Sequence, residues 1–415
     1  MKRLLLAFTS VLLVFAMLFP MASCASEDEA ESGSESSSAL ASDMVVPKPS
    51  EKPSEQATSN SSSNAAANLK PGVSTTTENL TAKTYKLSTK ISNIRFIGRS
   101  RWMNGGIQFD HSASGFEFQG YMTGALKLTV NTDADTTYYT VYIDGKRVNE
   151  RFSTKGSNKT ITIANFEGKY FHTVKVLKQS EERWTRTLVK EITMTGYMLG
   201  TPEQRKYHIE VLGDSLTTGY GNLGKKSEGN AQGGNTPLKQ DATKSYGFVA
   251  AEMLNADCTI VAWSGIGLDK TYTDGVSFGA YYQKHAYNRN SSDTYKYGRA
   301  PDVLVIHLGA NDSTNKATTR AGFVQKGKDL INMIRKGYGK DMPIVWAYDP
   351  DEGVPAYIKE VLDSFGGESK GLYMLELEWQ SKDSYWGASG HPSEAAHKKH
   401  GELLAELIKS KNLLK

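Results

Sequence analysis

The run YHIEVLGDSLTTGYGN, residues 207–222, constrains the fold of this chain more than any other stretch. An apolar strand pattern ends at Leu212 and leads directly into Gly213, Asp214 and Ser215, and the glycines that follow permit a sharp turn toward a helix. The run therefore predicts a strand that ends at a serine. In open α/β sheets the reacting groups collect at the carboxyl ends of the strands, which makes Ser215 a candidate nucleophile.

Three later segments supply the groups that a serine nucleophile needs. Serine reacts poorly at neutral pH unless a general base takes its proton and fixed donors meet the developing oxyanion. A strand pattern at residues 259–262 precedes Gly265, a second at residues 303–308 precedes Asn311, and His391 stands just before a C-terminal helical pattern. The chain thus offers Ser, Gly, Asn and His in that order.

These segments resemble the four blocks of the SGNH (GDSL) hydrolases, which are named for the same residues. The runs GDSLTTGYGN, SGIGL and GAND are more narrowly similar to the family-two carbohydrate esterases, which remove acetyl groups from polysaccharides. The resemblance extends from Asn93 to the C-terminus. It implies an acetylated polysaccharide or oligosaccharide as the substrate, such as xylan or glucomannan, and it implies no cofactor.

The resemblance also implies a role for each block. Ser215 attacks the ester carbonyl, and His391 takes its proton. The oxyanion hole consists of the backbone N–H groups of Ser215 and Gly265 and the side-chain amide of Asn311. Gly265 is assigned by alignment with the second block of the family, in preference to Gly267.

Three further residues are predicted to support this site. Asp214 and Asp312 are interpreted as groups that hold loops through hydrogen bonds to backbone N–H, and Trp386 is expected to wall the acyl pocket or stack on a sugar. The sequence shows no cluster with metal-ligand spacing, so no metal is predicted. His397 and His400, on the predicted last helix, are interpreted as solvated.

One departure from the family pattern concerns the residue that orients the histidine. SGNH enzymes usually carry an Asp three residues before it, and Ala388 occupies that position here. We therefore predict a Ser-His dyad in which the backbone carbonyl of Ala388 or Ser389 accepts from the imidazole. Glu378 and Asp383 are nearby carboxylates, although their spacing gives no reason to prefer them.

Two alternative functions remain open, and the missing Asp bears on the first of them. The chain could be a carbohydrate-binding lipoprotein whose hydrolase fold has lost its chemistry, or an esterase or lipase that acts on other short-chain acyl esters. Its formal net charge of +4 is too small to suggest a nucleic-acid partner.

Residues 1–23 have the pattern of an export signal, with a basic start, an apolar core and small residues before Cys24. This resembles a bacterial lipobox, so we expect lipidation at Cys24, with simple secretion as the alternative. The membrane would then be a partner only through the lipid anchor, at the cell surface or the outer face of a membrane. Residues 24–84 are rich in Ser, Glu and Pro and are expected to form a disordered tether.

Two folded domains are predicted after the tether. Residues 85–200 contain six short runs of period-two alternation separated by turn residues, which is typical of an all-β sandwich, and the family resemblance implies a jelly roll. Trp102, Trp184, Tyr138 and Tyr139 could stack on glycan rings, or they could belong to the core and interfaces. In residues 201–415 strands alternate with helices, which predicts a parallel α/β sheet covered on both faces, and the resemblance implies a three-layer flavodoxin-like fold.

Overall fold

The computed structural model describes residues 69–133, 135–228, 237–270, 277–284, 294–315, 317–350, 353–378 and 383–415. The predicted export signal and Cys24 lie outside these ranges. No helix within them is both long enough and apolar enough to cross a membrane.

The first domain is all-β, and its strands pair only antiparallel. They are β1 Ala82–Lys86, β2 Arg95–Ile97, β3 Arg101–Met103, β4 Gly106–Gln108, β5 Gly115–Thr132, β6 Thr137–Ile143, β7 Lys146–Arg147, β8 Phe152–Thr154, β9 Lys159–Lys178 and β10 Thr187–Met198. Pairing follows the order β3-β4-β10-β5-β9-β6-β7. In addition, β1 pairs with β10, β2 with β5 and β8 with β6. Buried side chains such as Phe116, Phe118, Val174 and Val176 form a core between the strands.

Two pairs of the predicted short runs are joined into single long strands. β5 contains 18 residues and β9 contains 20, and the two strands pair along most of their lengths. Their register shifts between Met122 and Gly124, where Gly124 has a φ of 63°. Gly124 therefore forms a β-bulge. The bulge bends the strand at a residue that is typical of turns, but the strand continues beyond it.

The folded region also begins earlier than residue 85. Strand β1 pairs with β10, and the N–H of Gly72 donates to the carbonyl of Phe171 at 2.7 Å. Leu80 packs with Tyr121 and Phe171 in a small buried cluster. The predicted tether, which extended to residue 84, therefore overlaps chain that packs on the β-domain.

The second domain contains a parallel five-stranded sheet, which confirms the predicted α/β class. Its strands are β11 Tyr207–Gly213, β12 Ala256–Ala262, β13 Val303–His307, β14 Ile344–Tyr348 and β15 Leu372–Glu376, in the order β12-β11-β13-β14-β15. This is the doubly wound flavodoxin-like order 2-1-3-4-5. The order reverses beside β11, which opens a crevice at the carboxyl ends of β11 and β13.

Helices cover both faces of this sheet. They are α1 Ser215–Thr218, α2 Tyr246–Met253, α3 Phe278–Tyr282, α4 Ala310–Thr314, α5 Arg320–Tyr338, α6 Pro355–Asp363 and α7 Glu394–Ser410. Along β13, Leu304 and Ile306 pack in one buried cluster with α5 and α6, whereas Val303 and Val305 pack in another with α2 and α7. The alternation follows from the period of two in a strand.

A buried polar seam joins the two domains. Arg99 of the β-domain is 2% exposed, lies between the rings of Tyr282 and Tyr295, and donates to the carbonyl of Lys284 at 2.8 Å. Glu210 on β11 accepts from the hydroxyls of Tyr282 and Tyr338, each at 2.9 Å. Nη2 of Arg99 lies 3.6 Å from Oε1 of Glu210, so a buried ion pair connects the β-domain to the sheet.

Candidate active site

The first strand of the parallel sheet delivers Ser215 to the switch point. Ser215 is the first residue of α1, and the side chain of Asp214 caps this helix by accepting from the N–H of Leu216 at 3.0 Å. Gly213 permits the tight turn, because a Cβ there would lie 2.0 Å from Oγ1 of Thr217. The sequence thus folds locally into a strand, a turn and a helix that present the serine hydroxyl at the edge of the sheet.

His391 lies directly against this hydroxyl. Its Nε2 is 2.8 Å from Oγ of Ser215, and its Nδ1 is 3.0 Å from the carbonyl oxygen of Ser389. Since a carbonyl only accepts, Nδ1 carries the proton and Nε2 is left to accept from the serine. Burial lowers the pKa of His391 to about 4, against the opposing effect of the Ser389 carbonyl. The imidazole is therefore neutral at pH 7 and able to act as a base.

Ser389 is held in an unusual backbone conformation for this contact. Its φ is 60° and that of Gly390 is 68°, so two successive residues are left-handed. Ser389 carries a Cβ, and such a conformation is uncommon for a residue that is not glycine. The carbonyl of Ala388 accepts from the backbone N–H of His391 at 3.2 Å instead.

The two carboxylates near His391 in sequence are placed differently. Asp383 pairs with Lys226 at 2.7 Å on the surface, where its side chain is 87% exposed. The backbone carbonyl of Glu378 accepts from Nε2 of His400 at 3.0 Å. Of the four acceptors considered from the sequence, the Ser389 carbonyl is the one that the structure places at Nδ1 of His391.

Asn311 connects the strand-end loops. Its side-chain Nδ2 donates to Oδ2 of Asp214 at 2.9 Å and to the carbonyl of Ile266 at 3.0 Å. These two bonds tie the loop after β13 to those after β11 and β12. An amide nitrogen has two hydrogens, so donation to a substrate oxyanion requires Asn311 to release or share one of these bonds.

The two backbone donors predicted for the oxyanion hole follow neighbouring strands. Gly213 and Ala262 pair in register at the ends of β11 and β12, two and three residues before Ser215 and Gly265. Among the described residues, neither the Ser215 N–H nor the Gly265 N–H has an acceptor. Gly265 has a φ of 86°, which favours glycine at this position.

Asp312 holds the loop that follows Gly265. Its carboxylate accepts from the N–H groups of Leu268 at 2.7 Å, Asp269 at 2.8 Å and Lys270 at 3.1 Å. Burial raises the pKa of Asp312 to about 6, although these three hydrogen bonds oppose the shift.

The ring beside the dyad is that of Tyr220. Its centroid lies 4.5 Å from that of His391, and Trp184 of the β-domain lies 6.4 Å from Tyr220. Trp386, which was predicted to wall the pocket or stack on a sugar, packs against Tyr385 with the ring centroids 5.2 Å apart. Sequence analysis missed Tyr220 although it lies within the GDSLTTGYGN run.

The β-domain contributes polar residues that sequence analysis also missed. The carboxylate of Glu181 accepts from the N–H of Ser264 at 2.7 Å and also from its hydroxyl. Arg183 donates to the carbonyl of Ser264 at 2.9 Å. These residues precede Ser264 by about eighty positions, and no motif spacing links them to it.

The prediction that His397 and His400 are solvated is wrong. Each is 1% exposed, since both lie on the face of α7 that packs on the domain. Nδ1 of His397 accepts from the N–H of Tyr246 at 3.3 Å, and burial lowers the pKa of His400 to about 4. In the described part of the chain, no group of three or more His, Cys, Asp or Glu side chains is arranged to hold a metal.

The aromatic residues considered for glycan stacking divide into two groups. Tyr139 is 1% exposed in the core, Trp102 packs on Phe96 with the ring centroids 5.6 Å apart, and Tyr138 lies under Arg151. Trp184 is half-buried and lies near the dyad. It is the member of this set that the fold brings to the candidate site.

Comparisons with protein families divide the chain at the same place as the structure. A model of the carbohydrate esterase 2 N-terminal domain matches residues 96–202, and a model of the GDSL-like lipase/acylhydrolase matches residues 209–404. The two matches cover the β-domain and the parallel sheet respectively.

Curated relatives include two bacterial enzymes. Cellulase/esterase CelE of Acetivibrio thermocellus is 28% identical over 318 residues, which are 72% of this chain and 37% of that protein. An acetylxylan esterase / glucomannan deacetylase of Cellvibrio japonicus is 23% identical over 254 residues, which are 60% of this chain and 69% of that enzyme. The chain thus corresponds to little more than a third of the length of CelE.

Solved structures agree with these matches. A family two carbohydrate esterase from Clostridium thermocellum, in complex with cellohexaose, has a TM-score of 0.67 and 26% identity, and the match covers 77% of this chain and 99% of that one. A carbohydrate esterase family 2 enzyme from Corynascus thermopiles has a TM-score of 0.65, 25% identity and the same coverage. Both domains therefore have counterparts in single known chains.

Proposed function

Because the chain belongs to the GDSL-like hydrolases and carries the N-terminal domain of the family-two carbohydrate esterases, we propose that it is a serine esterase that removes O-acetyl groups from polysaccharides. The observation that carries this proposal is the pair of contacts at His391. Nε2 lies 2.8 Å from Oγ of Ser215, and Nδ1 lies 3.0 Å from the carbonyl of Ser389. A nucleophile, a base and an orienting group are thus in line.

The reaction proceeds in two acyl transfers. Oγ of Ser215 attacks the acetyl carbonyl while Nε2 of His391 takes the serine proton. His391 then returns this proton to the sugar oxygen as the ester bond breaks, which leaves an acetyl-serine. Water then attacks the acetyl-serine while His391 takes a proton from it. The bond between the acetyl carbon and Oγ breaks, His391 returns the proton to Oγ of Ser215, and acetate leaves.

The oxyanion of each tetrahedral intermediate needs fixed donors. The N–H groups of Ser215 and Gly265 serve this role, together with the amide of Asn311 once it leaves one of its protein acceptors. Loss of one such donor typically lowers the rate by about a hundred- to thousandfold.

The proposed substrates are acetylated plant polysaccharides such as xylan or glucomannan. Support comes from the Cellvibrio japonicus relative, which is described as an acetylxylan esterase / glucomannan deacetylase. The rings of Tyr220 and Trp184 give the site aromatic faces beside the dyad, and such amphipathic surfaces suit a sugar ring.

We further propose that the protein is exported and anchored to a membrane by a lipid on Cys24. The support is the signal pattern in residues 1–23. The test is the distribution of the chain between membrane and soluble fractions. Cys24→Ser is expected to release the chain from the membrane fraction, and an unchanged distribution would argue against the anchor.

The esterase proposal is tested with 4-nitrophenyl acetate and acetylated xylan. Turnover of both is expected in the unmodified protein and is expected to be lost in Ser215→Ala and His391→Ala. Ser410→Ala, which removes an exposed hydroxyl at the end of α7, serves as the control and should retain full activity. A folded protein that is inert on every acetyl ester but is retained on acetylated xylan would instead be the carbohydrate-binding alternative.

A further inference from the structure

The β-domain holds all three polar groups of one residue in the catalytic crevice. Glu181 accepts from the backbone N–H of Ser264 at 2.7 Å and from its side-chain hydroxyl. Arg183 donates from Nη1 to the Ser264 carbonyl at 2.9 Å. Ser264 follows β12 in the hydrolase domain, so these bonds cross from one domain to the other.

The bond from Arg183 also fixes the direction of the next N–H. The carbonyl of Ser264 and the N–H of Gly265 belong to the same peptide unit, which is planar, and no described peptide bond is cis. In a trans unit the two groups point in opposite directions, so a donor on the carbonyl side aims the N–H the other way. Gly265 itself has a φ of 86° and has no side chain to anchor it.

We propose that Glu181 and Arg183 are positioning residues for the reaction, and that they hold the Gly265 N–H in the oxyanion hole from the other domain. The inference rests on the proposed esterase function, because it assigns a purpose to the Gly265 donor. The β-domain is then part of the catalytic apparatus, and its role extends beyond covering the sheet.

The loop that carries these residues is itself held rigidly. Nζ of Lys178 is fully buried and donates to the carbonyls of Asp110 at 2.8 Å and Glu181 at 3.1 Å, and also to that of Thr185. Oε1 of Glu181 also accepts from the indole of Trp184 at 3.2 Å. A donor network that is fixed before substrate binds costs no reorganisation during the reaction.

Glu181 and Arg183 differ in burial, and this gives two independent tests. Glu181 is 0% exposed, so its substitution risks misfolding, whereas Arg183 is exposed and can be changed with less risk. Arg183→Met keeps an unbranched apolar side chain and removes the donor. Arg186 lies on the same segment, and its guanidinium pairs with Asp133 at 3.1 Å, so Arg186→Met is a matched control.

The first readout is steady-state hydrolysis of 4-nitrophenyl acetate by the full-length protein. We expect Arg183→Met to lower kcat by about tenfold or more, with KM changed less than about twofold, because a misdirected donor weakens binding of the transition state more than that of the substrate. Arg183→Lys should retain a higher kcat than Arg183→Met, and Glu181→Gln should lower kcat at least as much as Arg183→Met does. Equal kcat in Arg183→Met and Arg186→Met would overturn the proposal.

The second readout does not depend on esterase activity. In protein labelled with ¹⁵N-glycine, the Gly265 amide should shift, broaden or exchange faster with solvent in Arg183→Met, and should remain unchanged in Arg186→Met. If Gly265 is unaffected in Arg183→Met, the positioning role is contradicted even in an active enzyme. If the amide responds but the unmodified protein hydrolyses no ester, the positioning contact stands and the esterase proposal fails.

Discussion

The proposed dyad of Ser215 and His391 is held in a different way from Ser264, which is held by the Ser264 clamp, by which we mean Glu181 and Arg183 with their bonds to Ser264. His391 is oriented by a backbone carbonyl two residues earlier in the chain. Ser264 is oriented by polar side chains from a different domain, 83 positions away in the case of Glu181. The geometry at His391 thus depends on an unusual local backbone conformation, whereas the geometry at Ser264 depends on the interface between the domains.

This difference determines how each part should respond to substitution. The orientation of His391 depends on the left-handed conformations of Ser389 and Gly390, so the identity of their side chains matters less than their backbone. The clamp depends on particular polar atoms. We therefore expect removal of the dyad residues to abolish activity and changes in the clamp to reduce it by smaller factors.

The largest effect is expected for His391→Ala. Loss of the base should lower kcat by about ten-thousandfold or more, well beyond the effect of Arg183→Met. Hydrolysis of 4-nitrophenyl acetate measures the change, and His172→Gln, on the β-domain, is a control that should keep full activity. If His391→Ala and Arg183→Met lower kcat by similar factors, the dyad and the clamp do not differ in the way described.

Asn311→Ala should have the next largest effect. The amide lies between the two regions, since it bonds to Asp214 and to the carbonyl of Ile266. We expect kcat to fall by about a hundred- to thousandfold with a smaller change in KM, because one oxyanion donor is lost. A change confined to KM would show that Asn311 only ties the loops together.

Ala388→Asp should fail to improve the enzyme, even though it restores the carboxylate usual in the family. Nδ1 of His391 already donates to Ser389, and Ala388 is 0% exposed with Gly224 packed against it. Burial of a new carboxylate should lower the free energy of unfolding by about 1–3 kcal/mol. Urea unfolding and kcat measure both effects, with Ala388→Ser as the uncharged control. A tenfold gain in kcat would mean that the carbonyl orients His391 poorly.

The smallest effect is expected from mild acid. His391 acts as a base only when neutral, and its pKa is lowered to about 4, so kcat/KM should stay nearly constant from pH 7 to pH 5 and fall below pH 4. Any inflection near pH 6 would therefore report Asp312, whose pKa is raised to about 6, and not His391. Asp312→Asn should remove that inflection. If kcat/KM still falls near pH 6 in Asp312→Asn, the pKa of His391 is close to its ordinary value and the expectation is wrong.

Structural features that are encoded by a local sequence pattern could be predicted from the sequence. The strand, turn and helix around Ser215 follow from residues next to one another, and the alternation of strands and helices predicted the α/β sheet. The continuity of β5 could not be predicted, because Gly124 has the signature of a turn and only the pairing with β9 shows that it forms a bulge.

Features that depend on the direction of a backbone group or on distant neighbours could not be predicted from the sequence. The Ser389 carbonyl could not be singled out as the acceptor for His391, because the sequence does not show in which direction a backbone carbonyl points. His397 and His400 were misjudged because the buried face of α7 is set by its packing partners. Glu181 and Arg183 gave no signal at all, since their partner belongs to another domain.

¹⁵N NMR of histidine-labelled protein can decide whether a neutral His391 is oriented by the Ser389 carbonyl, on which the proposed dyad depends. The His391 signals are identified by their loss in His391→Gln. With this orientation we expect a proton on Nδ1, none on Nε2, and a ring that remains neutral until about pH 4. A proton on Nε2 at pH 7, or titration near the ordinary value for histidine, would contradict it.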